Sequence, residues 1–100
     1  MKDELLLKRT YVNHETSGET IRNARVIKRI TQDDMAKKIS NIMKTDYGYK
    51  KGMSRAALSY YENGDRSMPD YIFTIACNIL GLDEIKVFND ACEYIKKKEN

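Results

Sequence analysis

The chain has no tryptophan, one histidine, one proline, two cysteines and five glycines in 100 residues. One proline and few glycines leave long stretches rich in Lys, Glu, Ile, Leu and Ala free to be helical. The single His14 leaves no Ser-His-Asp or Cys-His set and no HExxH motif. A glycine-rich phosphate loop is also missing. Cys77 and Cys92 stand without a nearby histidine, which excludes the usual zinc spacing. Both lie in helix-patterned apolar contexts and read as small buried hydrophobes. Asp33 with Asp34, and Asp83 with Glu84, sit at helix starts, where capping accounts for them. No catalytic residue, metal site or cofactor is expected, and the chain does not read as an enzyme. No hydrophobic run is long enough to span a membrane. The leucines at 5–7 are too few for a signal-peptide core. The expected setting is the cytoplasm, with no membrane partner.

What is present suits one compact domain. Hydrophobic residues make up 41% of the chain, with seven Tyr and two Phe. The net charge of +3 is unevenly spread. Residues 1–17 balance three basic against three acidic groups. Residues 18–69 carry eleven basic and six acidic groups, and residues 70–100 carry four and six. The middle segment is the basic one, as a polyanion partner would require, although a lysine-rich solvated surface looks the same.

The apolar periodicity predicts five helices, no strand and no internal repeat. Residues 1–17 are an N-terminal arm or a short packed extension, with His14 read as an exposed arm residue. The first helix starts near Glu19, capped by Thr16 or Ser17, with Ile21, Ala24 and Ile27 as its apolar stripe. Arg25 lies beside that stripe and needs a partner. The second helix opens at Thr31 or Gln32. It carries Met35, Ile39, Ile42 and Met43 inward and runs to about Lys44. Residues 45–52, with Gly48 and Gly52, read as a loop. The third helix follows the cap Ser54 and ends at Asn63 and Gly64. At 100° per residue it turns Ala57, Leu58 and Tyr61 to one side, and Arg55, Ala56, Ser59, Tyr60 and Asn63 to the other. Asp70 is expected to cap the fourth helix, which Gly81 ends, and Asp83 to cap the fifth. The fifth would align Ile85, Phe88, Cys92 and Ile95, for packing or for dimerisation.

Three stretches carry a resemblance. The run from Ile21 to Arg25, then Ile30-Thr31-Gln32 with Met35, Ala36 and Ile39, resembles the opening of the XRE family. That family holds the Cro and phage-repressor type of helix-turn-helix proteins. Met53-Ser54-Arg55-Ala56-Ala57-Leu58-Ser59-Tyr60-Tyr61-Glu62-Asn63-Gly64 resembles its recognition helix and exit turn. The likeness continues through Pro69 to Ile79-Leu80-Gly81-Leu82 and covers residues 18–82. It implies an all-α, five-helix, lambda-repressor-like DNA-binding domain over residues 18–82, and the apolar stripe beyond it makes residues 83–100 a C-terminal helix. It also implies a sequence-specific transcriptional regulator, a repressor of phage or mobile-element type. Such a protein binds a palindromic double-stranded operator as a homodimer. By position, Arg55, Ala56, Ser59 and Tyr60 would meet base edges in the major groove. Thr31, Gln32 and Asn63 would meet the DNA backbone. Arg25 would pair with Glu62 as a structural salt bridge.

One departure from the family is large. The second and third helices are normally three or four residues apart, and here Ser40 to Met53 intervene. This enlarged connection brings Lys44, Lys50, Lys51, Tyr47 and Tyr49. Lys50 and Lys51 would contact the phosphate backbone; a plain surface loop is the alternative, and a long surface loop closes at little cost. A different functional class stays open as well. The chain would then be a protein-interaction module, such as an antitoxin or a helix-turn-helix protein that binds a protein partner through residues 83–100.

Overall fold

The structure is a computed structural model that describes residues 17–87 and 89. The arm residues before Ser17, and Phe88, Cys92 and Ile95 of the expected fifth helix, lie outside the described residues. Among the described residues the chain is all-α and has no strand. Its helices are α1 (Gly18–Ile27), α2 (Gln32–Asp46), α3 (Arg55–Asn63) and α4 (Asp70–Leu80). Helical backbone resumes over residues 84–87.

Side-chain chemistry explains most of the helix ends. Thr31 Oγ1 accepts from the Asp34 N–H at 3.1 Å, and Ser54 Oγ accepts from the Ala57 N–H at 3.1 Å. Asp83 accepts from the N–H groups of Ile85 and Lys86. Gly64 (φ 78°) and Gly81 (φ 69°) take the left-handed conformation that finishes α3 and α4.

Four expectations need correction. Ser17 precedes α1 with helical backbone (φ −67°, ψ −35°) and makes no capping hydrogen bond, so its side chain does not cap the helix. Ile27 is 80% exposed, because the buried stripe of α1 runs through Gly18, Ile21 and Arg25 instead. Each step of three residues falls about 60° short of a full turn, so two steps from Ile21 carry Ile27 about 120° off the face. Asp70 sits inside the first turn of α4, and Pro69 holds the cap position. Finally, α2 runs past Lys44 to Asp46. Thr45 Oγ1 donates to the Asn41 carbonyl at 2.9 Å, and the Tyr49 N–H closes back on the Met43 carbonyl at 3.1 Å. Much of the expected insertion is therefore extra helix, and the connection proper is residues 47–54.

The core forms where α4 meets the other helices. Ile72, Phe73, Ile75, Ala76, Cys77 and Leu80 of α4 are all buried. Around them lie Ile21 from α1, Met35, Ile39 and Met43 from α2, and Leu58 from α3. Helix α1 packs on α3 and α4, and α2 also packs on α3 and α4. Burying one large apolar side chain contributes roughly 1.5–3 kcal/mol. These residues are thus the main source of stability, and they fix the angle at which α3 is held out to solvent.

Candidate nucleic-acid interface

The approach of α1 to α3 depends on a glycine. A Cβ at Gly18 would collide with the Tyr61 carbonyl, on the backbone of α3. With that contact made, Arg25 of α1 reaches Glu62 of α3. Arg25 Nε donates to Glu62 Oε2 at 2.8 Å, and Nη2 donates to Oε1 at 3.0 Å. Arg25 Nη1 also donates to the Ile30 carbonyl at 2.8 Å. The side chains are 10% and 0% exposed, so this bidentate pair is buried.

The pair does not end there. Gln32, in the first turn of α2, donates from Nε2 to Glu62 Oε1 at 3.0 Å. An amide whose nitrogen is committed inward turns its oxygen outward. Gln32 Oε1 then receives Arg55 Nε at 3.5 Å, a long contact at the surface. Arg25, Glu62, Gln32 and Arg55 thereby form one chain from the buried side of α1 to the exposed start of α3. Thr31 is exposed and spends its hydroxyl on the cap of α2.

The outer face of α3 carries Arg55, Ala56, Tyr60 and Asn63 exposed, and Ser59 half-buried. Asn63 Nδ2 reaches Ser59 Oγ at 3.5 Å. Leu58 and Glu62 are the buried residues of this helix. A residue the sequence reading passed over joins this face. The Arg66 guanidinium lies 4.4 Å from the centre of the Tyr60 ring, as a cation–π contact. Its position follows from the exit turn, where the N–H groups of Asp65 and Arg66 bond back to the Tyr60 carbonyl. The turn residues 65–67 gave no periodic signal that would have marked it.

Lys50 and Lys51 are exposed on the connection between α2 and α3. The connection itself is anchored twice. Ser40 Oγ accepts from the Met53 N–H at 2.9 Å and donates to the Met53 carbonyl at 3.0 Å. Gly52 permits this clasp, because a Cβ there would strike the Ser40 side chain. At its other end, Tyr47 and Tyr49 pack on Tyr71 of α4, with ring centres 5.9 Å and 5.3 Å away. Burial raises the Tyr71 pKa above 10.0, and Tyr49 adds to the effect. Sequence spacing could not have found either anchor, since both join residues on different elements.

Among the described residues no group of three His, Cys, Asp or Glu side chains is placed to hold a metal ion. No described helix is long and apolar enough to cross a membrane. Compared with known proteins, the chain matches no family model, no curated sequence and no solved structure.

Proposed function

We propose that this chain is a DNA-binding transcriptional regulator with a lambda-repressor-like helix-turn-helix, in which α2 lies across the DNA backbone and α3 enters the major groove. The observation that carries this reading is the chain Arg25–Glu62–Gln32–Arg55. It links the residues of the family resemblance that are far apart in sequence, and it ends at the open start of α3. A groove helix needs a solvent face that is small, able to hydrogen-bond and firmly positioned. Arg55 would pair with guanine, and Ala56 would touch a thymine methyl. Ser59 and Tyr60 would reach bases, while Thr31, Gln32, Asn63, Lys50 and Lys51 would meet the backbone. The protein would act in the cytoplasm as a homodimer on a palindromic operator.

Selection of bound fragments from random duplex DNA at physiological salt tests the proposal. The expected result is an enriched motif whose binding weakens steeply as salt rises. A pool with no enriched sequence would count against base reading. It would then favour the second reading, a module that binds a protein partner. That reading draws on the exposed apolar side chains Val26 (58%), Ile27 (80%) and Ile85 (70%).

A further inference from the structure

We infer that the groove between α2 and the start of α3 seats a sugar–phosphate strand of duplex DNA, held by Lys37, Asn41 and Lys44. This rests on α3 being a DNA-reading helix, and it adds a contact surface that begins at Lys37 and continues through Asn41 and Lys44 into the lengthened part of α2. The groove has a volume of about 450 Å³ and is open to solvent. Its α2 wall is a single face, with Asp33, Lys37, Asn41 and Lys44 at helical spacing. Arg55 stands on the opposite side, and Ser40 and Met53 also line it.

The chemistry of these groups suits a phosphodiester. Three cations face one carboxylate. Asp33 lies at the α2 N-terminus, about 16 Å along the axis from Lys44 at 1.5 Å per residue, so the Lys44 end of the groove is lined by no carboxylate. Neither Lys37 nor Lys44 has an ion-pair partner among the described residues. Asn41 supplies an amide donor between them. The site is also held in shape before any ligand arrives. The two-way bond between Ser40 and Met53 fixes the connection against α2, and Gly52 lets the backbones approach. A groove whose walls are already anchored loses little backbone freedom when a charged strand enters it. The shared wall residue Arg55 places this strand next to the bases that α3 would read.

The test is the salt dependence of binding to a fluorescently labelled duplex carrying the sequence most enriched from the random pool. Wild type is compared with Lys37→Gln/Lys44→Gln and with a charge-matched control, Lys28→Gln/Lys38→Gln, whose lysines lie outside the groove. Circular dichroism checks that both variants fold. Losing two phosphate contacts should reduce the slope of log K against log salt by about 1.8 in the groove variant. The control should keep the wild-type slope. An unchanged slope in the groove variant, or an equal loss in both variants, overturns the groove as a seat and leaves the DNA-binding reading standing. A wild-type protein that binds no duplex at all overturns both.

Discussion

Arg25 and Glu62 bring opposite charges into a place that water barely reaches, with side-chain exposures of 10% and 0%. Removing one charge there leaves the other without compensation. Glu62→Gln should therefore cost about 3 kcal/mol of stability, measured by urea denaturation. No change in the midpoint would mean that the pair does not hold α1 to α3. A second residue-scale effect is titration. The Tyr71 pKa is raised above 10.0 by burial and by Tyr49. A raised pKa means that the folded state keeps the phenol proton longer than the unfolded chain does. Its contribution to stability is whole below the ordinary pKa and fades as pH rises through the folded value. Ultraviolet titration of tyrosinate should show a late component, and Tyr71→Phe should remove it. A variant that keeps the late component would assign it to another tyrosine.

Elements were legible in the sequence to the extent that local chemistry defines them. Thr31, Ser54, Asp83, Gly64 and Gly81 end or start helices through bonds to neighbours a few residues away. Those contacts are readable from spacing alone. The outer face of α3 was legible for the same reason. The α1 stripe was misread at Ile27, because Gly18 and Arg25 do not look apolar yet face inward. The connection after α2 was illegible, since its order comes from Ser40, thirteen residues before Met53, and from Tyr71 on α4. Only tertiary placement brings those groups together. Ser40→Ala tests how far the clasp matters. It strips a partner from both the N–H and the carbonyl of Met53, and should cost about 1 kcal/mol in a thermal or urea melt. Hydrogen exchange at the Met53 amide should accelerate while the α4 core amides slow-exchange as before. An amide equally protected in the variant would show that the tyrosine cluster alone holds the connection.

At the scale of the whole molecule, the core and the exposed start of α3 meet through one hydrogen-bonded chain. Phe73, Leu58 and their neighbours set the packing of α3, while Glu62 orients the Gln32 amide, whose oxygen lies 3.5 Å from Arg55 Nε. Stability and binding can be separated by replacing the ion pair rather than breaking it. A buried pair exchanged for apolar groups of similar size is often neutral for stability. Arg25→Met/Glu62→Leu should therefore fold, with a urea midpoint well above that of Glu62→Gln. It leaves the Gln32 amide without its inward acceptor, so Gln32 loses its set position and Arg55 its contact with Gln32. Affinity for the enriched duplex should then fall about tenfold, or about 1.4 kcal/mol, with little change in the salt slope. The unchanged slope separates this loss from a loss of phosphate contacts. A double variant that folds and binds as tightly as wild type would show that the buried pair serves the fold alone.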